Sequence, residues 1–267
     1  DVYKRQMFHH ITSKDNAFYK RLRSALKDNT GYRQRGLIWI EGEHLCQAWI
    51  ERGGHFKELV LLDALPDSTL QHWAKHAESV HTMGSSLLAG LSQMPSDPWI
   101  LGGLVWDGEA PLDRHESVLV LDGIQDPANA GVMLRCAAAF GLTQVATTPG
   151  SVALWSPKVV RSAMGAHFSL KLSESVAVST LIAMDLPVLV TDVHQGTYLH
   201  EQVASQGLPW PCMWVFGHEG QGVQASWALT SVQRIRIAQP GGQESLNVAS
   251  AAAICLHASV IQRIEKC

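Results

Sequence analysis

Six strand-length segments dominate the second half of this chain: SVLVLDG (117–123), TQVATTP (143–149), FSLKL (168–172), LPVLVTD (186–192), PCMWVFG (211–217) and QRIRIAQ (233–239). Stretches of helical length separate them, and one long helical pattern, NVASAAAICLHASVIQRIEK (247–266), closes the chain. Strands regularly spaced by helices demand α/β units and argue against a β-sandwich. The first half shows the same alternation on a smaller scale. Strand-like GLIWIEG, FKELVLL, SVHTM and PWILGGLVW are interleaved with helix-like segments at 15–28, 67–78, EHLCQAWIERG and SSLLAGLS. Between the halves, DGEAPLDRHE is charged and interrupted by proline, which suits a linker. The expected organisation is a first domain over 7–106, a linker over 107–116 and a second domain over 117–267.

At 267 residues and 46% hydrophobic content, the chain has enough apolar side chains for a core in each domain. Its apolar runs are strand-length, well short of the roughly 20 residues a membrane helix needs, and no secretory pattern follows Met7. Five cysteines, odd in number and without a C-x-x-C pair, disfavour a disulfide framework or a zinc ribbon and point to a reducing cytoplasm. The net charge of −3 is not that of a nucleic-acid binder as a whole. Yet Lys14, Lys20, Arg21, Arg23, Lys27, Arg33 and Arg35 lie together against only Asp15 and Asp28, so a local electrostatic footprint for RNA stands beside the reading of a solvated helix face.

Three stretches carry candidate chemistry. In LDGIQDPANAGVMLRCAAAFGL (121–142), Asp126-Pro127-Ala128-Asn129 reads as a turn ending with Asn129 as a helix N-cap. Arg135 follows among apolar and small residues, which predicts a buried helix and therefore a carboxylate or phosphate partner for the guanidinium. In WSPKVVRSAMGAHFSL (155–170), Ser156-Pro157 reads as a helix opening, with Lys158 and Arg161 three residues apart facing phosphate or solvent. In the third, WVFGHEGQGV (214–223) and RIAQPGGQESLNVAS (236–250) each follow an apolar strand with a glycine-rich loop, leaving backbone N–H groups facing a crevice at strand ends. Glu219 stands beside glycines there, and Ser245 and Asn247 stand at the mouth of the last helix. No Rossmann G-x-G-x-x-G or phosphate loop is present, His72 and His76 read as a helix face, and no metal cluster is visible.

In order and spacing, Asn129-x-Gly131-x-x-x-Arg135 with Phe140-Gly141, SPKVVRSAMGA, Gly217-x-Glu219-x-x-Gly222 and Ser245-Leu246-Asn247 resemble the SpoU, or TrmH, family of RNA ribose 2′-O-methyltransferases of the SPOUT superfamily. The resemblance covers roughly 116–267. ITSKDNAFYKRLRSAL and IEGEHLCQAWI are similar to the small α/β, ribosomal-protein-like RNA-binding domain often found upstream of it.

That resemblance implies a SPOUT α/β fold with a deep C-terminal trefoil knot, a homodimer with active sites near its interface, and S-adenosylmethionine as cofactor. Backbone groups of Gly217, Ile237 and Leu246 in the loops at 217–222, 237–242 and 245–247 would hold the adenine and ribose. Arg135 would engage the RNA phosphate, with Asn129, Glu219, Ser245 and Asn247 orienting it and the nucleotide. Lys14, Lys20, Arg21, Arg23, Arg33, Arg35 and Arg161 would contact RNA. The chain departs from the family pattern at His218, at Ala238 and Gln239 where the family usually has Pro and Met, and at Ala163. The expected activity is 2′-O-methylation of ribosomal RNA. The alternatives are a transfer-RNA 2′-O-methyltransferase, a non-catalytic RNA-binding or assembly protein on the same fold, and a knotted enzyme methylating a base nitrogen.

Overall fold

A computed structural model of the chain describes residues 8–92, 98–241 and 245–264. The expected domain start at Met7, the Gly242 end of the cofactor loop and residues 265–267 lie outside the described residues. Two compact units are formed, one by residues up to Gly108 with Trp155–Arg161, the other by Glu109–Leu154 with Ser162 onward. No described helix is long and apolar enough to cross a membrane.

The first unit runs β1 (Phe8–Ile11), α1 (Ala17–Ala25), α2 (Tyr32–Arg35), β2 (Leu37–Glu41), α3 (Glu43–Glu51), β3 (Phe56–Leu62), α4 (Asp67–Ala74), β4 (Ala77–Met83), α5 (Ser85–Ala89) and β5 (Ile100–Val105). Its mixed sheet has the order β1-β4-β3-β5-β2, with β5 antiparallel to both β3 and β2. Asn16 caps α1 by accepting from the N–H groups of Phe18 and Tyr19. The helix then buries Phe18, Tyr19 and Leu22 against Val60, Met83 and Leu101 of the sheet, which turns its basic side chains outward.

The second unit contains β6 (Val118–Asp122), α6 (Pro127–Ala139), β7 (Gln144–Thr147), α7 (Pro157–Ala163), β8 (Lys171–Ser173), α8 (Val178–Ile182), β9 (Val188–Thr191), β10 (Thr197–Tyr198), α9 (Leu199–Ser205), β11 (Met213–Gly217), β12 (Val232–Arg236) and α10 (Val248–Ile264). The first residues of α7 are grouped with the first unit. The sheet order is β10-β12-β9-β11-β6-β7-β8, and every neighbouring pair is parallel. Every residue of β6 and β7 is buried. This is why these strands read as continuous apolar runs rather than as alternation. The order sets the C-terminal ends of β9, β11 and β12 side by side, the usual crevice of an open parallel sheet.

Local structure differs from the sequence-based expectation at five places. Most of the expected linker is built into the second unit: Ala110 N–H donates to Leu172 O, Asp113 N–H to the Gln144 side chain, and Ser173 Oγ to Ala110 O. The helix expected over 67–78 ends at Ala74, because Ala77–Met83 pairs in parallel with β3 and β1. The N-cap of α6 is Asp126, which accepts from Ala128 N–H at 2.9 Å and leaves Asn129 in the first turn. Ser156 O accepts from Val160 N–H, but the buried Ser156 hydroxyl has no hydrogen-bond partner, so it does not cap α7 with its side chain. Finally, α6 is buried on one side only. Ala130, Met133, Leu134 and Ala137 face inward while Arg135 is exposed.

Candidate active site

The end of β11 is shaped by Gly217, whose register partner in the sheet is Asp122 at the end of β6. A Cβ on Gly217 would lie 2.2 Å from the backbone of Gly222, so only glycine lets the loop 218–222 fold back across the strand end. Two contacts close that loop: Gly222 N–H donates to His218 O at 2.8 Å, and Gly220 N–H donates to His218 Nδ1 at 3.0 Å. The fully buried Asp122 anchors its far side. Its carboxylate accepts from the backbone N–H and side-chain amide of Gln224, both at 2.7 Å, and from Thr148 Oγ1 at 2.7 Å. A buried carboxylate is tolerated because each of these donors replaces a water.

The tight loop presents Glu219 to Asn129. Asn129 Nδ2 donates to Glu219 Oε1 at 2.5 Å, and Asn129 Oδ1 accepts from Asn247 Nδ2 at 2.9 Å. Asn247 in turn caps α10, its Oδ1 accepting from the N–H groups of Ala249 and Ser250 at 3.0 and 3.2 Å. Three expected site residues from three distant stretches thus form one hydrogen-bonded chain ending at a helix N-terminus. Because both amides are committed as donor and acceptor, their orientation is defined, and the Glu219 carboxylate keeps one oxygen for another donor.

Beside this chain lies a cleft of about 790 Å³ bordered by Gly217, Glu219, Ile237, Ser245 and Leu246 among others. It therefore unites the three residues expected at the cofactor with two of those expected to orient substrate. Asn129, Asn247 and Arg135 do not border it. Arg135 stands six residues beyond Asn129, roughly 120° around an ideal helix, and among the described residues its guanidinium carries no hydrogen bond or ion pair. Of the expected RNA contacts, Lys20 pairs with Asp15 at 3.0 Å, Arg21 with Glu58 at 3.1 Å and Arg35 with Asp28 at 3.1 Å. Arg33 lies over the Tyr32 ring. Lys14 and Arg23 are exposed, while Arg161 is half-buried.

Sequence reasoning missed Asp122, Gln224, Asp192 and Arg234. Asp192 and Arg234 border the cleft and pair at 2.6 Å. Partial burial pushes the Asp192 carboxyl up, but the N–H groups of His194 and Gln195 and the Arg234 guanidinium outweigh it and hold the pKa below the usual carboxylate value. The available signal was the pair of apolar runs LVLD and LVTD, each ending in an aspartate at the crevice edge of the sheet. Among the described residues no group of three or more His, Cys, Asp or Glu is placed to hold a metal ion.

Comparison with known proteins matches residues 116–257 to the SpoU rRNA Methylase family. A tRNA/rRNA methyltransferase of Synechocystis sp., itself uncharacterized, is 32% identical over 271 residues, covering 92% of each chain. The 23S rRNA (guanosine(2553)-2′-O)-methyltransferase of Bacillus subtilis is 26% identical over 226 residues, covering 82% of this chain and 86% of its own. Among solved structures, the SpoU methyltransferase AviRb of Streptomyces viridochromogenes in complex with AdoMet superposes with a TM-score of 0.81 at 20% identity, covering 93% of this chain and 98% of its own, a likeness of fold. The family match over more than half of the sequence, together with a relative nearly one-third identical along almost its whole length, means that this chain belongs to the SpoU rRNA methylase family.

Proposed function

We propose that the cleft at the ends of β9, β11 and β12 binds S-adenosylmethionine and that the enzyme methylates a ribose 2′-OH in ribosomal RNA. The observation that carries this reading is the junction of the cleft with the Glu219–Asn129–Asn247 chain, which puts a place for a methyl donor beside an oriented polar site. The cleft suits the cofactor. Its volume falls in the roughly 300–1,000 Å³ range of small-molecule sites, its border mixes apolar and charged side chains, and it includes two residues with buried polar atoms that lack partners, Trp227 Nε1 and Gln239 Oε1. Gly217, Ile237 and Leu246 would hold it through their backbone groups. When bound, the cofactor supplies an electrophilic methyl group on a sulfonium.

The protein's own residues then have to bring a poor nucleophile to the donor and hold the negative charge around it. A guanidinium is planar, carries five donors and keeps its proton in proteins, which makes Arg135 a weak candidate for a base and a good grip for phosphate. Its place is to fix the phosphodiester and to stabilise negative charge developing at the 2′ oxygen. Asn129, Glu219, Ser245 and Asn247 orient the nucleotide. We read the functional unit as a cytoplasmic homodimer with each site near the interface, the C-terminal segment as a deep trefoil knot, and the first domain as the part that binds substrate RNA, with Lys14, Lys20, Arg21, Arg23, Arg33, Arg35 and Arg161 facing it.

The test is transfer of radiolabelled methyl from S-adenosylmethionine to total RNA lacking this enzyme's modification, followed by ribose-methylation mapping. One 2′-O-methyl position in ribosomal RNA is the expected result. A position in transfer RNA, a methylated base, or cofactor binding without transfer to any RNA each overturns it.

A further inference from the structure

The loop that carries Glu219 is closed in part by an acceptor that a proton can remove. Of its two closing contacts, one is backbone to backbone and the other ends on a side chain, with Gly220 N–H donating to His218 Nδ1 at 3.0 Å. An accepting Nδ1 carries no proton, so in the neutral ring the proton sits on Nε2. His218 is half-buried and borders the cleft, and its Cβ lies 3.8 Å from where a Cβ on Gly123, just past β6, would stand. It stands between Gly217, at the end of β11, and Glu219, whose Oε1 accepts from Asn129 Nδ2. The side-chain contact therefore tightens the turn that aims this carboxylate. His218 is also one of the positions at which the chain departs from the family pattern.

We infer that His218 is a positioning residue for methyl transfer, its neutral ring holding Glu219 toward Asn129 and its protonation releasing that hold. This rests on the methyltransferase reading above. Among ordinary side chains histidine is the one that changes charge between about pH 5 and 8. An imidazolium has a donor on each nitrogen and no acceptor, so a second proton sets two N–H groups against each other where Gly220 and Nδ1 now pair. The backbone contact from Gly222 N–H to His218 O does not involve the ring, which confines the change to the aim of Glu219. The ring is not placed as the base for the 2′-OH, because Nε2 already bears the proton in this tautomer. Charged and titratable groups around it are Glu219 in the same loop, Asp122 at the end of β6, bound to Gln224 and Thr148, and Asp192, His194 and Arg234 on the border of the same cleft.

Methyl transfer to unmodified ribosomal RNA, followed from about pH 6 to 8.5 at saturating S-adenosylmethionine, compares the full chain with His218→Ala and His218→Asn. Asparagine keeps a side-chain oxygen two residues before Gly220, the arrangement of an Asx turn, and does not titrate. At the alkaline end His218→Ala should lower kcat by about threefold to tenfold with KM for RNA unchanged, the loss of one ordinary hydrogen bond, and His218→Asn should restore most of it. On acidification the ratio of wild-type to His218→Ala rates should fall toward one, while the ratio of His218→Asn to His218→Ala stays constant. All other titrating groups are shared by the three proteins and cancel in these ratios. A wild-type ratio that ignores pH, an asparagine variant as slow as alanine, or an alanine variant as fast as the wild type each overturns the inference. The Gly220 amide resonance, which needs no substrate, should titrate in the wild type and not in His218→Asn; a resonance constant in both overturns the contact itself. If the folded wild type, checked by circular dichroism, methylates no RNA while that resonance titrates, the methyltransferase reading fails and takes the role in transfer with it.

Discussion

Arg135 holds its charge at the solvent side of α6 with no carboxylate beside it among the described residues, which leaves the guanidinium free for an external anion. Removing it should therefore leave the fold and the cleft untouched. Arg135→Ala is expected to lower single-turnover methyl transfer by about 10²–10³, the range found when one charge-stabilising donor is deleted, while S-adenosylhomocysteine binds as in the wild type. Turnover within a few-fold of normal would remove Arg135 from the mechanism. The expectation of an arginine on a buried helix does not hold, because the opposite face of α6 is the buried one. The spacing of Arg135 from Asn129 and Gly131 points to the same residue independently. Asp122 and Asp192 were harder to see. An aspartate after an apolar strand reads as a turn residue until the fold shows that one is fully buried under Gln224 and the other is paired with Arg234.

The strands of the second unit were legible because parallel strands buried on both faces leave continuous apolar runs, and all six expected segments contain strands near the expected positions. The two-residue β10 was not legible, since Thr197 and Tyr198 carry too little pattern to mark an edge strand. Helix ends were less legible than helix existence, as at Asp126 and Asn129, where both residue types are good caps and the chain used the earlier one. The short 3-10 turn after α7 contains a group that links local packing to pH. His167 is buried, and desolvation pushes its pKa from 6.5 down to about 4, although its hydrogen bond to Leu154 O at 2.8 Å and the Glu174 charge favour the protonated form. The unfolded imidazole takes up its proton near 6.5 and the folded one only near 4, so between these values the unfolded state binds more protons. The contribution of His167 to stability is complete above about pH 6.5 and is lost as pH falls toward 4. By pH 5 the loss should be about 2 kcal/mol. Urea denaturation of wild type and His167→Gln at about pH 7.5 and 5 checks this: the variant should lose less stability on acidification, and identical losses would mean that His167 does not titrate with folding.

A net charge of −3 coexists with an RNA substrate only if the positive charge is concentrated, and the ion pairs of the first unit determine how much of it is available. Surface pairs such as Lys20–Asp15, Arg21–Glu58 and Arg35–Asp28 are weakened by solvent around at least one partner, so an incoming phosphate can compete for them. Each still releases fewer net ions than an unpaired cation does, because its carboxylate stays behind as a negative charge near the phosphate. Lys14 and Arg23 have no such neighbour among the described residues, and they should dominate the salt dependence. Each phosphate contact on a nucleic acid contributes about 0.7–0.9 to the slope of log affinity against log salt. Measured by filter binding to ribosomal RNA between low and physiological salt, Lys14→Ala and Arg23→Ala are expected to reduce the slope by close to one contact each, and Arg21→Ala by less. Cofactor affinity should stay constant throughout, since none of these side chains borders the cleft. Slopes that match the wild type in all three variants would make the cluster a solvated face of α1 and shift RNA recognition to other surfaces of the protein.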